Sequence, residues 1–270
     1  MDFCVIGHRG GAGHAPENTL AAFGQAVRLG LSDVELDVRL SRDGELVLFH
    51  DARLEHKTSL TGRVEDHAAK DLLAADIGRW FDTARGVRGV SYAGETLTTL
   101  GRVLSRFGAS LRYHVELKGA QPELADRVVE ESRAFGGVRV MLTSFAFDRL
   151  LRVRELDSAV PLCWLLRDPV SATASLSVRE RDRLFHDQRE RIERAAAAGF
   201  EMIGLRASLS SREVVLYARS LGLAVRAWGV DTDADIEHAL AADVEGMTVD
   251  WPQELLRRLR ARERAVEGGA

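Results

Sequence analysis

Residues 33–51 read Asp33-Val34-Glu35-Leu36-Asp37-Val38-Arg39-Leu40, then Ser41-Arg42-Asp43-Gly44, then Glu45-Leu46-Val47-Leu48-Phe49-His50-Asp51. Apolar and polar residues alternate on both sides of Asp43-Gly44, the pattern of two half-buried strands joined by a tight turn. Asp-Gly tolerates the positive φ of a two-residue type I′ turn, so it is placed at the turn centre. Arg42 then faces Glu45, Val38 faces Phe49, and Asp37 faces His50. Because side chains alternate along a strand, Glu35, Asp37 and His50 project to one side. Val38, Leu40, Val47 and Phe49 form the opposite, apolar face. Two acids on one strand face repel each other unless a cation lies between them, which makes Glu35 and Asp37 candidate oxygen ligands of a metal ion.

Outward from this hairpin, short apolar runs alternate with helical ones. Strands are expected at Phe3–Gly7, Asp33–Leu40, Leu111–Leu117, Val138–Thr143, Pro161–Leu166, Glu201–Leu205, Leu223–Val230 and Gly246–Val249, with Glu45–Phe49 as the hairpin partner. Leu20, Phe23, Ala26, Val27 and Leu29 recur at helical spacing, with Asn18 or Thr19 available to cap. Further helices are expected at Glu123–Phe135, Asp148–Glu155, Arg212–Leu221, Asp233–Ala242 and Pro252–Arg262. Eight strands, each followed by a helix or loop, predict an α/β protein with a closed (β/α)8 barrel. Residues 1–270 are read as one such domain, with an inserted subdomain over about 51–95 that carries Ile77, Trp80 and Phe81. The Arg/Glu-rich run within Pro169–Gly199 is expected to be a solvated helix.

Composition narrows the function. The 270 residues are 46% hydrophobic and 29% charged with a net charge of −4, which speaks against a nucleic-acid partner. Two cysteines, Cys4 and Cys163, are too few for a disulfide framework or a thiolate metal site. No apolar run is long enough for a membrane span, and Met1-Asp2 opens no signal-peptide pattern, so a cytoplasmic location is expected. Lys57, Lys70 and Lys118 are the three lysines among 37 basic side chains.

Lys118 lies on the second informative strand. Arg112, His114, Glu116 and Lys118 share one parity, opposite Leu111, Tyr113, Val115 and Leu117. So charged a face inside a barrel needs pairing or a metal, which makes Glu116 a third candidate ligand and Lys118 a candidate phosphate partner. His114 points inward and is a candidate to orient a ligand. The first strand ends in Gly7-His8-Arg9-Gly10-Gly11, a candidate anion-receiving corner.

Taken in order, His8-Arg9-Gly10, Pro16-Glu17-Asn18-Thr19, Ala22-Phe23, Glu35-x-Asp37-Val38, Asp43-Gly44, His50-Asp51, Glu116-x-Lys118, Ser144-Phe145, Trp228 and Asp250-x-Pro252 resemble the signature of the glycerophosphodiester phosphodiesterase family. The resemblance runs over nearly the whole chain. It implies a barrel phosphodiesterase with a divalent cation, Ca2+ or Mg2+, on Glu35, Asp37 and Glu116. It further implies a catalytic pair at His8 and His50, and substrate or phosphate contacts at Arg9, Lys118 and Trp228. Glu17, Asn18, Asp51, His114 and Asp250 fall at supporting positions around that set.

The chain departs from the family pattern at Trp228-Gly229-Val230-Asp231, at Val249-Asp250-Trp251-Pro252, at Glu95 where proline is usual, and at His114. These positions bear on substrate preference rather than on the chemistry. The implied reaction is metal-dependent hydrolysis of a small-molecule glycerophosphodiester to an alcohol and sn-glycerol 3-phosphate by histidine acid–base catalysis. The alternative is a lysophospholipase D-like activity, for which Trp80, Phe81 and Trp251 would supply an apolar mouth. A catalytically inactive phosphodiester-binding barrel is the remaining reading. Integral membrane association is not expected.

Overall fold

The computed structural model describes residues 3–87, 89–168 and 176–267, with the side chains of 263 and 265–267 excepted. The strands are β1 (Cys4–Gly7), β2 (Asp33–Leu40), β3 (Leu46–Leu48), β4 (Arg112–Leu117), β5 (Arg139–Ser144), β6 (Leu162–Leu165), β7 (Met202–Arg206), β8 (Ala224–Trp228) and β9 (Gly246–Val249). They follow the order β1-β9-β8-β7-β6-β5-β4-β2-β3, and β1 also pairs with β2. Eight strands therefore close a ring and β3 lies outside it, the (β/α)8 topology expected from the strand count.

Helices α1 (Leu20–Arg28), α2 (Ala69–Leu72), α3 (Gly78–Arg85), α4 (Leu100–Phe107), α5 (Leu124–Ala134), α6 (Phe147–Leu156), α7 (Val178–Ala197), α8 (Arg212–Ser220), α9 (Asp233–Ala242) and α10 (Pro252–Glu267) fill the connections. Thr19, rather than Asn18, caps α1 by accepting from the Ala22 amide. The Arg/Glu-rich run is helical as α7, with Ser177 and Glu180 forming a capping box. Residues 169–175, at the start of that stretch, lie outside the described residues.

The chain divides into two compact units: Gly7–Val140 with Asp250–Gln253, and Met141–Val249 with the two chain ends. In the first unit, β2 is buried along its whole length, on both faces, as a strand inside a parallel sheet must be. It pairs in parallel with β4, which sets Glu35 beside His114 and Asp37 beside Glu116.

The hairpin differs from the sequence expectation by one residue. Val38 pairs with Leu48, Arg39 with Val47 and Leu40 with Leu46. Only Gly44 has a positive φ (83°), so the connection is a three-residue loop closed by a glycine in the left-handed region. Side-chain bonds favour this longer loop. Ser41 Oγ donates to Asp43 Oδ1 (2.7 Å) and accepts from the Glu45 amide (2.9 Å), while Asp43 Oδ1 also accepts from the Ala69 amide (2.9 Å). The apolar face is accordingly re-sorted. Val38 and Leu40 pair with Leu48 and Leu46, whereas Val47 and Phe49 join a second core with Leu54, Val64, Leu72, Ala75, Ile77 and Leu97. That core roots the inserted segment, and Trp80 packs against it from the side.

The second unit holds β5 to β9 with their helices and its own buried set, including Ile203, Leu205, Val225 and Met247.

Candidate active site

The polar face of β2 opens the site. Glu35, Asp37 and Glu116 each bring a carboxylate oxygen within 4.8 Å of the others, and all three are buried. Burial, then the charge of Asp37, pushes the Glu35 carboxyl well above the usual carboxylate range. Asp37 is also buried, yet Lys118, Arg9, His50 and the Asn18 amide hold it far below that range. Its Oδ1 is enclosed and accepts no hydrogen bond among the described residues, with Lys118 Nζ 3.5 Å away. A buried carboxylate oxygen with no donor of its own, amid two further carboxylates, is a position a cation can fill. The donor set suits a hard divalent cation. Glu35, Asp37 and Glu116 therefore fit a metal centre.

Two cationic side chains border these acids. Lys118, following β4, lies 2.8 Å from Glu116 Oε1. Burial alone would lower the Lys118 ammonium, but Asp37 and Glu116 outweigh it and raise it, so it stays charged. Arg9 follows β1 in the left-handed region (φ 51°), where a non-glycine residue is uncommon. This backbone aims the Arg9 amide at Glu35 Oε2 (3.0 Å). Its guanidinium donates to Glu17 Oε2 (2.9 Å) and lies 3.5 Å from Asp37 Oδ2. Asn18 is a second left-handed residue (φ 57°). Its backbone N–H donates to Arg9 O (2.9 Å). Its side chain donates to Asp37 Oδ2 (2.9 Å) and accepts from the Asp37 amide (3.2 Å). Two strained backbones at one corner mark a site held by its surroundings.

Each histidine stands on an aspartate. His8 Nδ1 is 2.6 Å from Asp250 Oδ1, and its Nε2 lies 3.9 Å from Glu35 Oε2. Burial pushes His8 down, but the bond to Asp250 and the charge of Glu35 outweigh it and raise the imidazole above its ordinary value. His50 Nδ1 is 2.8 Å from Asp51 Oδ1. The His50 bond, with Lys57 adding to it, holds Asp51 well below the usual range. Lys57 Nζ is 2.9 Å from both Glu17 Oε1 and Asp51 Oδ2.

Of the residues singled out from the sequence, the structure brings His8, Arg9, Glu17, Asn18, Glu35, Asp37, His50, Asp51, Glu116, Lys118 and Asp250 into one unit, linked by these contacts. His114 is placed one step deeper on the same strand face, bonding Asp33 Oδ1 at 2.9 Å. Trp228 belongs to the other unit, where its Nε1 donates to Gly204 O (3.3 Å) and its ring meets Phe145 edge-on at 5.2 Å. Lys57 had no assigned job from sequence, because its two carboxylate partners are 40 and six positions away and no periodicity joins them.

The departures from the family pattern have local causes. Gly229 has a φ of 63°, which favours glycine. Glu95 Oε1 accepts from the Ala21 amide (3.1 Å), one of the unpaired donors in the first turn of α1. Trp251 covers Gly13, where an added Cβ would meet the indole at 2.4 Å. Beside it is a cavity of about 410 Å3 lined by His14, Phe81, Arg85, Tyr92 and Trp251. Tyr92 Oη donates to His14 O (3.1 Å), and the Arg85 guanidinium lies 5.5 Å from the Trp251 ring centre.

A closed parallel barrel with an acidic, histidine-flanked strand end has the architecture of a barrel hydrolase. The model of the glycerophosphoryl diester phosphodiesterase family matches residues 8–254, and the chain belongs to that family. It is 27% identical over 258 residues to a glycerophosphodiester phosphodiesterase of Bacillus subtilis (strain 168), covering 92% of this chain and 83% of that one. It is also 27% identical to one from Caldanaerobacter subterraneus subsp. tengcongensis, over 96% of this chain and 99% of the relative. Among solved structures it is similar to an Oleispira antarctica phosphodiesterase in complex with the product sn-glycerol-3-phosphate, with a TM-score of 0.77, 24% identity, and 95% and 96% of the two chains covered. The chain is accordingly a phosphodiesterase of this family.

Proposed function

We propose that the protein hydrolyses glycerophosphodiesters to an alcohol and sn-glycerol 3-phosphate, using a divalent cation and the His8/His50 pair. The observation that carries this reading is the convergence of two histidine–aspartate pairs, Arg9 and Lys118 on the Glu35–Asp37–Glu116 cluster.

A phosphodiester repels nucleophiles through its charge, and its alkoxide leaving group needs a proton. Bound at the three carboxylates, the cation supplies Lewis-acid stabilisation of charge on the phosphoryl oxygens. Arg9 and Lys118 add fixed positive charge at the same place. One histidine takes the proton of the glycerol 2-hydroxyl as its oxygen attacks phosphorus. The bond from phosphorus to the alcohol oxygen breaks, and the other histidine donates a proton to that oxygen. The two exchange roles when water opens the cyclic phosphate, because the second step is the first run backwards with water in place of the alcohol. Asp250 and Asp51 hold each ring by Nδ1, which leaves Nε2 for the reacting oxygens.

A second reading concerns the alcohol and acyl side of the substrate. The cavity lined by Phe81, Tyr92 and Trp251 is partly apolar, and Trp251, Val87 and Val90 are exposed beside or within it. These features support turnover of lysophospholipids, which keep the glycerophosphodiester core and a free hydroxyl.

Release of sn-glycerol 3-phosphate from a panel of glycerophosphodiesters, with and without chelator, tests the first reading. Release that stops with chelator and returns with Mg2+ or Ca2+ is expected. No release from any member, or release indifferent to chelator, overturns it. Comparing glycerophosphocholine with lysophosphatidylcholine separates the two substrate classes. Among the described residues no helix is long and apolar enough to cross a membrane.

A further inference from the structure

Lys57 lies in the inserted segment, and its side chain is only 10% exposed. Its backbone is anchored by a turn whose acceptor is Leu54 O, which receives the amides of Lys57 (3.1 Å) and Thr58 (3.0 Å) and the Thr58 hydroxyl (3.0 Å). Leu54 is fully buried in the second core, so the turn is rooted in it. The ammonium of Lys57 sits over Trp80, with Nζ 5.1 Å from the ring centre. Thus both ends of the lysine are fixed by the insertion.

Its ammonium closes a continuous ionic chain. Arg9 bonds Glu17 Oε2 at 2.9 Å, and Glu17 Oε1 bonds Lys57 at 2.9 Å. Lys57 contacts Asp51 Oδ2 at 2.9 Å, and Asp51 Oδ1 meets His50 Nδ1 at 2.8 Å. Each carboxylate spends one oxygen on Lys57 and the other on a residue of the site. Without the lysine, Glu17 and Asp51 would keep Arg9 and His50 on one oxygen each but lose the charge that joins them and fixes the other oxygen.

We propose that Lys57 is a positioning residue for phosphodiester hydrolysis, setting Arg9 through Glu17 and the His50 ring through Asp51. The inference rests on the functional reading above, in which Arg9 meets the phosphate and His50 moves a proton. Asp51, bound by Lys57 on one oxygen, is an ionised acceptor on the other, so His50 Nδ1 carries the hydrogen and Nε2 faces the reaction. The inserted segment then supplies part of the chemistry, as well as a wall of the neighbouring cavity.

The test compares the full-length wild type with Lys57→Met, Lys57→Arg and His50→Ala on glycerophosphocholine with Mg2+ present. Lys57→Met removes the charge and keeps an unbranched side chain of similar length. Its kcat is expected to fall at least tenfold, with KM changed by less than about threefold and little change in Tm. Lys57→Arg, which keeps a donor for both carboxylates, is expected to recover a substantial part of the lost kcat. The 15N shifts of the His50 ring, assigned by comparison with His50→Ala, should move from one dominant tautomer toward a mixture in Lys57→Met. A kcat within threefold of wild type for Lys57→Met overturns the inference and leaves the functional reading standing. So does a loss that follows Tm, is not recovered by arginine and leaves the ring shifts unmoved, since that pattern belongs to scaffolding alone. A wild type that turns over no glycerophosphodiester overturns the functional reading itself, and the inference with it.

Discussion

The two histidine corners are built in opposite ways. His8 and His50 stand on aspartates at nearly equal distances, 2.6 and 2.8 Å. Asp250, however, is 242 positions from His8, whereas Asp51 is the next residue after His50. The His8 corner depends on left-handed backbone at Arg9 and Asn18 and on a partner from the far end of the chain. The His50 corner depends on a local dipeptide steadied by Lys57 from a separate small core. The contrast teaches that equivalent hydrogen bonds can have unequal structural dependence. One corner is sensitive to barrel strands and their tight turns, the other to packing beneath the insertion.

The strongest way to break this symmetry is to remove the rings. His8→Ala and His50→Ala are each expected to lower kcat by about 10²- to 10⁴-fold in steady-state assays, the usual worth of a positioned acid or base. If both variants stay within a few-fold of wild type, the pair is not catalytic. A second perturbation targets one corner only. Leu54→Ala should lower unfolding free energy by about 2–5 kcal/mol in denaturant titration, as for other large-to-small core changes. Its turnover should fall through the His50 corner while the Asp250-linked pH response of His8 persists.

Asp250→Asn acts on the other corner. A loss of about 10- to 100-fold in kcat/KM is expected, as when a carboxylate that orients a functional imidazole is removed. Because Asp250 and Glu35 together raise His8, the substitution lowers that imidazole, and the limb of the pH–rate profile reporting it should move to lower pH. A limb that stays in place would show that Asp250 does not control His8.

The smallest effect concerns stability below the site. Burial alone would raise Asp33, but hydrogen bonds from His114 and Ser32 push it down to about 2 from 3.8. A carboxyl lowered on folding stabilises the fold above its unfolded value, and that contribution fades as pH falls from about 4 to about 2. Asp33→Asn should therefore lose about 2 kcal/mol near pH 7 and flatten the acid limb of a Tm–pH curve.

Much of the fold was legible because its signals are periodic. The runs at Asp33–Leu40 and Gly246–Val249 are strands with the expected ends, and Asp233–Ala242 is a helix with the expected ends. The hairpin register was not, because Asp43-Gly44 fits two turn lengths. The choice between them lies in side-chain bonds from Ser41 and Asp43 to residues as distant as Ala69. Glu35, Asp37 and Glu116 could be found by strand parity, since neighbouring parallel strands carry that parity across the sheet. The His8–Asp250 pair could be suspected only through the family resemblance, as no local rule spans such a separation. Lys57 escaped both routes. Its partners converge only after Leu54 is packed, so the relevant information is tertiary.

The second core has a consequence for how such a protein can vary. The inserted segment leaves and returns along one small seam. The Leu48 amide bonds Thr98 O at 2.9 Å, Leu97 bonds Ala75 O at 3.2 Å, and Val47 bridges Thr99. A segment stitched together at its base can be exchanged as a cassette without re-registering β2 against β4. Such an exchange would carry Phe81, Arg85, Tyr92 and Lys57 together while leaving the three carboxylates where they are. Substrate choice and the alignment of one histidine would then be inherited as a single trait, so a transplanted insertion that widens the cavity must also bring its own cation for Glu17 and Asp51.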